Sequence, residues 1–116
     1  MALNYYKKEL KENAQLLASK GKGILAVDES TKTVGKRLAG IGVENTEENR
    51  KAYRGMLFTT EGLGEYISGA ILFEETLFQN HQDGEPMVKK LNDLGIIPGI
   101  KVDKGLNPLP GGGNVE

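Results

Sequence analysis

Three short, largely apolar runs constrain this chain more than anything else in it: Ile24-Leu25-Ala26-Val27, then Ile67-Ser68-Gly69-Ala70-Ile71-Leu72-Phe73, then Ile96-Ile97-Pro98-Gly99-Ile100-Lys101-Val102. Unbroken runs of this length suit strands buried on both faces, as in parallel sheets. Each stops abruptly in charge: Asp28 and Glu29 after the first, Glu74 and Glu75 after the second, Lys101 with Asp103 and Lys104 at the third. Strands alternating with helical segments are the pattern of βαβ units, so the fold class is α/β with parallel strands. In such folds the carboxyl ends of all strands lie on one face, where ligands bind. Asp28, Glu74 and Lys101 are therefore expected to converge there although they are far apart in sequence.

The intervening segments read as helices. Tyr6, Leu10, Ala14 and Leu17 recur at helical spacing, which predicts an amphipathic helix over Asn4 to Ser19, closed by Gly21 and Gly23. Val34, Leu38 and Ile41 line one side of a short helix predicted from Thr33 to Ile41. Asn45 is expected to cap the next helix, with Glu48 in the reciprocal position and Tyr53, Met56 and Leu57 as its buried stripe. Gly62 and Gly64 mark its end. Pro86 opens a last helix whose buried face is Met87, Val88, Leu91 and Leu94, and Gly95 closes it. Leu106 to Glu116, with two prolines and a Gly111-Gly112-Gly113 run, reads as a loop. Residues 1–116 are expected to form a single, incomplete domain. Three parallel strands leave two edges open, and a closed barrel takes about eight.

Composition excludes several classes. Fifteen basic against sixteen acidic residues leave a net charge of -1, which carries neither a nucleic-acid footprint nor a polybasic membrane surface. No apolar run approaches the roughly 20 residues needed to cross a bilayer. Met1 to Leu10 has no signal-peptide core and no Ser-rich transit character follows, so a cytoplasmic address is the default, with a plastid stroma left open. With no cysteine and one histidine, no disulfide framework is possible and a transition-metal site is poorly supplied. No metal and no cofactor is expected. Gly21-Lys22-Gly23 is not a dinucleotide fingerprint, and Gly111 to Gly113 is not followed by Lys-Ser or Lys-Thr, so it is not a phosphate loop.

The remaining charges are where chemistry can reside. Lys101 interrupts an otherwise apolar strand, and an unpartnered buried ammonium would cost several kcal/mol or lose its proton. Asp28, at a neighbouring strand end, is the natural partner. Such a pair is either a structural ion pair or a device that moves protons and grips a substrate hydroxyl or phosphate. Lys36 and Arg37, with the hydroxyls of Ser30 and Thr33 near a helix start, suit a phosphate or are simply solvated. Arg50 carries the same ambiguity, with Glu47 and Glu48 as first-turn charges. Glu74 and Glu75 are adjacent, so strand alternation lets only one of them reach the cleft. His81, beside Asn80 and Gln82 in a polar turn, reads as a surface residue.

These segments resemble a known family. Gly21-Lys22-Gly23-Ile24-Leu25-Ala26-Val27-Asp28-Glu29-Ser30-Thr31, then Gly35-Lys36-Arg37-Leu38 and Glu44-Asn45-Thr46-Glu47-Glu48-Asn49-Arg50, are similar to the opening of class I fructose-bisphosphate aldolases. Ser68 to Leu77 and Pro98 to Gly105 continue the likeness in order and spacing, closest to the plant, algal and protist branch. The resemblance implies part of a TIM (β/α)8 barrel: an N-terminal helix and the first three strands. It implies reversible cleavage of fructose 1,6-bisphosphate to glycerone phosphate and glyceraldehyde 3-phosphate through a lysine Schiff base, without metal or cofactor. Asp28 resembles the family's active-site aspartate and Lys101 a lysine that sets charge and binds phosphate. Arg37, Ser30 and Thr33 resemble phosphate-binding residues, and Arg50 matches a position attributed to substrate binding.

Two positions depart from the family pattern, Val27 harmlessly and Lys32 by adding positive charge near the site. The family's Schiff-base lysine comes from a later strand and has no counterpart in this chain, which is therefore expected to be inactive alone. Intact members, with a barrel of about 250 residues plus extensions, are about three times longer. They usually form homotetramers. A non-catalytic product that binds phosphorylated ligands or aldolase subunits is the alternative, and an unrelated phosphate-handling βα protein is a third.

Overall fold

The computed structural model describes residues 5–103. The loop expected over Leu106 to Glu116 lies outside them. Helix α1 (Lys7–Leu17) leads into β1 (Gly23–Val27). Then come α2 (Thr31–Ala39), α3 (Glu47–Phe58) and a single turn, α4 (Leu63–Tyr66). Strand β2 (Ile67–Leu72) is followed by a turn of helix α5 (Glu74–Leu77), by α6 (Met87–Asp93) and by β3 (Ile97–Ile100). The strands form one parallel sheet in the order β1-β2-β3.

The sheet is not uniformly buried as the apolar runs suggested. In β2 every residue is buried or half-buried, because it alone among the described strands has a neighbour on each side. The edge strand β1 buries only Val27 fully, and Ile24 is 53% exposed. β3 is half-buried at Ile97 and Pro98 and exposed at Gly99 and Ile100. The core gathers under β2: Val27, Phe58, Ala70, Leu72, Met87, Leu91 and Ile96, with Leu25, Leu57, Leu63, Ile67 and Val88 packed around it. Val34 and Leu38 bury the inner side of α2.

Several helix expectations need correction. Helix α1 buries none of its residues: Tyr6 and Leu10 are exposed, and Leu17 is half-buried. What holds α1 down is its C-terminal end. Ser68 Oγ donates to the Leu17 carbonyl at 2.8 Å, and a Cβ on Gly69 would stand 2.5 Å from Leu17 Cδ2, so only a glycine lets that side chain lie on the sheet. The cap of α3 is Thr46, whose hydroxyl accepts from the Asn49 amide at 3.1 Å, not Asn45. Its buried stripe is Arg54, Gly55 and Phe58, while Met56 is 60% exposed. Leu94 and Ile41 are exposed too. Pro86 sits at the N-cap of α6, and Gly95, at φ +75°, supplies the left-handed turn that ends it.

Candidate active site

Strand register builds the site. Val27 pairs with Leu72, and Leu72 with Ile100, so the three strands finish abreast. The next residues, Asp28, Phe73 and Lys101, emerge side by side on the carboxyl rim, and the Lys101 amide extends the ladder by donating to the Leu72 carbonyl at 2.9 Å. A cleft of about 680 Å³ opens there. Asp28, Glu29, Ser30 and Thr33 form one wall, Phe73 and Glu74 the middle, and Lys101, Val102 and Asp103 the far wall.

Lys101 and Asp28 thus face the same cleft, but not as a direct pair. Lys101 is not buried in the strand: it follows β3, with 26% of its side chain exposed, and Nζ donates to Asp103 Oδ2 at 2.8 Å. That hydrogen bond holds its pKa above the ordinary lysine value, and the Asp28 charge adds to the effect from a distance. A lysine so held keeps its proton at neutral pH and acts as a fixed cation, not as a base. Among the described residues the Asp28 carboxylate makes no hydrogen bond, which leaves it open to a ligand hydroxyl or ammonium.

Ser30 closes the amino end of α2: its Oγ accepts from the Thr33 amide at 3.4 Å and donates to Thr33 Oγ1 at 3.2 Å. Both hydroxyls line the cleft at a helix start. Arg37 is not brought into it. Its Nε lies 3.1 Å from Glu29 Oε2, so it stands one carboxylate outside the wall, with 58% of the side chain exposed. Arg50 is not in the cleft either. It is held behind, where Nε and Nη2 donate to the two oxygens of Glu75 at 2.9 and 2.8 Å. A bidentate pair of this kind is the strong form of the contact, and it raises the Arg50 pKa and holds that of Glu75 below the ordinary carboxylate value.

Glu74 alone of the adjacent glutamates lines the cleft, although the reason is the first turn of α5 and not strand alternation. His81 is half-buried, not on the surface. Its ring packs over Gly55, where a Cβ would meet Cδ2 at 2.8 Å, and it borders a separate cavity of about 310 Å³. Sequence reasoning missed Arg54, which is completely buried beneath the rim. The signal was there: Arg50, Arg54 and Phe58 recur every four residues and so share one face of α3.

The described lining carries four carboxylates, Asp28, Glu29, Glu74 and Asp103, against the single ammonium of Lys101. It can orient hydroxyls and hold one anionic group beside Lys101. A doubly phosphorylated ligand would need further cations.

The sequence pattern of the family described as Fructose-bisphosphate aldolase class-I matches residues 9–116, nearly the whole chain. The chain belongs to that family. It is 62% identical over 106 residues to chloroplastic fructose-bisphosphate aldolase 3 of Arabidopsis thaliana, a match spanning 91% of this chain and 27% of the relative. Fructose-bisphosphate aldolase 1 of Toxoplasma gondii is 67% identical over 89% of this chain and 28% of its own. A solved aldolase from Plasmodium falciparum, in complex with TRAP and a small-molecule inhibitor, superimposes with a TM-score of 0.85 at 61% identity. That match covers 89% of this chain and 30% of the solved one. The chain therefore spans a little over a quarter of the length of these aldolases, and its three-stranded α/β unit is part of an aldolase TIM barrel.

Proposed function

We propose that this aldolase chain supplies the first part of an active site for reversible cleavage of fructose 1,6-bisphosphate to glycerone phosphate and glyceraldehyde 3-phosphate. The single observation that carries the reading is the alignment of Asp28 and Lys101 on one rim by the shared strand register. In this reading Asp28 accepts a hydrogen bond from a substrate hydroxyl and orders the cations around it. Lys101, kept protonated by Asp103, provides fixed charge to a phosphate. Ser30 and Thr33 offer hydroxyls at the start of α2, and Arg37 reaches a phosphate only by leaving Glu29. The excess of carboxylates in the described lining supports the view that more cations, and the amine that forms the Schiff base, come from polypeptide outside these residues. A homotetramer and a cytoplasmic address complete the proposal, with the plastid stroma as the alternative that the chloroplastic relatives favour.

Two experiments test it. Borohydride reduction of the 116-residue chain in the presence of fructose 1,6-bisphosphate is expected to trap no covalent adduct, and an adduct on Lys101 or Lys104 would contradict the division of labour. Joining this segment to the remaining barrel of the Toxoplasma gondii relative is expected to give cleavage activity. In that chimera Asp28→Asn should lower kcat by about 10²-fold or more, the scale of a lost group in the electrostatic machinery of a site. A chimera that is active and indifferent to Asp28→Asn sinks the assignment.

A further inference from the structure

Behind the cleft a chain of polar contacts leaves the first wall, crosses to the second and returns. Arg54 Nη2 donates to the Glu29 carbonyl at 2.6 Å, its Nη1 lies 3.8 Å from Glu75 Oε1, and its guanidinium carbon stands 5.6 Å from the centre of the Phe73 ring. Glu75 is gripped in turn by Arg50, whose remaining Nη1 donates to Asn45 Oδ1 at 2.8 Å. Asn45 Nδ2 then donates to the Thr31 carbonyl at 3.1 Å. The path begins and ends on two backbone carbonyls that flank Ser30.

A buried cation is poor value for stability alone, since a well-packed apolar residue of similar volume does as well or better. Burial lowers the Arg54 pKa, the direction expected of a cation held at a cost. What an apolar residue cannot do is hold a carbonyl and a carboxylate from different walls at once. We infer that Arg54 is a positioning residue of the cleft. Through the Glu29 carbonyl and Glu75 it fixes the Asp28–Ser30 wall against the Phe73–Glu74 wall, while the Arg50–Asn45 arm steadies the same loop from its far side. Gly35 belongs to the device: a Cβ there would collide with the Asn45 amide, so only glycine admits the outer arm to Thr31. The inference rests on the cleft being the substrate site, as proposed above.

Amide hydrogen exchange on the whole 116-residue chain, read by NMR, tests it, and fructose 1,6-bisphosphate binding is read by calorimetry in the same variants of the chimera with the Toxoplasma gondii barrel. Arg54→Lys keeps the charge but cannot span both partners, and Gly35→Ala displaces only the outer arm. The Thr33 and Val34 amides, which bond to Ser30, should exchange about tenfold faster in Gly35→Ala while those of β2 stay as they were. Arg54→Lys should do this at Thr33, Val34 and also Thr76, and should weaken sugar-bisphosphate binding at least tenfold. Uniform acceleration across β2 and the loop in Gly35→Ala, or an unchanged loop in both variants, overturns the inference. Should Arg54→Lys not fold, Gly35→Ala and Glu75→Gln decide by the same criterion. A wild-type chimera that binds no bisphosphate at millimolar ligand sinks the substrate reading, and the exchange pattern then decides the positioning role alone.

Discussion

Glu75 answers two guanidiniums at once: it takes two of the three side-chain hydrogen bonds of Arg50 and faces the buried Arg54 from 3.8 Å. Both arginines remain charged at any ordinary pH, so the balance depends on the carboxylates: Glu75 for both, with Glu29 acting on Arg54 as well. The Glu75 pKa lies below its ordinary value of 4.5, chiefly because Arg50 donates to it. A carboxyl depressed in the folded state contributes stability that is complete above the unfolded value and is lost as pH falls through the folded one. Stability of the chain should therefore hold from neutrality to near 4.5 and decline below it. In Glu75→Gln the two arginines lose the carboxylate they share, and removing one partner of a buried pair costs about 3 kcal/mol. Urea unfolding at a series of pH values should show that gap wide at pH 7 and closing toward pH 3; a gap independent of pH would contradict the role given to the carboxylate. Little of this could be read from residue types. Periodicity treats arginine as solvent-facing, and the carboxylate that reverses this for Arg54 lies 21 positions along the chain, after an intervening strand.

Among the elements, the sequence carried strand identity better than helix orientation. β1 and β2 lie where their apolar runs put them, because a buried parallel strand writes itself as a contiguous run, whereas β3 stops at Ile100, short of the Lys101 expected within it. Helices depend on which side finds a partner. At about 100° per residue the stripe of Tyr53, Met56 and Leu57 and the observed stripe of Arg54, Gly55 and Phe58 lie on nearly opposite sides of α3, and the burial of the guanidinium goes with the second. The cap was misplaced for a related reason. Asn45 and Thr46 are both good caps, but Asn45 is committed to Thr31 and Arg50, and Thr46 takes the amide of Asn49. The two residues should therefore separate by experiment. Thr46→Ala is expected to lower stability by about 1 kcal/mol, the usual worth of an N-cap, and to speed exchange at the first turn of α3. Asn45→Ala should leave that turn protected while loosening Thr33 and Val34. Equal fraying of α3 in both variants would return the cap to Asn45.

At the largest scale the governing fact is that, among the described residues, each of β1 and β3 has a strand neighbour on one side only. Edge strands present unpaired amides and carbonyls, and here they come with exposed apolar side chains, Ile24 on β1 and Ile100 at the end of β3, with Val102 just beyond. Helix α1 cannot cover this surface, since it buries none of its own residues and is tied down only near Leu17 and Ser68. The open edges were legible in the sequence from the count of runs; that β1 would be the most exposed strand was not, because a run of apolar residues does not say whether a neighbour is present. Two consequences follow for the 116-residue chain in solution. Exchange should be fastest in α1 and slowest in β2, where the ladder is bonded on both sides. Apolar strand edges should also drive association, so sedimentation at rising concentration is expected to show the average mass climbing above 12.6 kDa. Replacing Ile24 with Lys puts a charge on the exposed edge without touching the cleft or the core, and edge charges suppress strand pairing. That variant should shift association to higher concentration while leaving the β2 exchange rates unchanged. A wild-type chain that stays monomeric at high concentration and unfolds in one cooperative step would show that the edges are protected by something other than strand pairing.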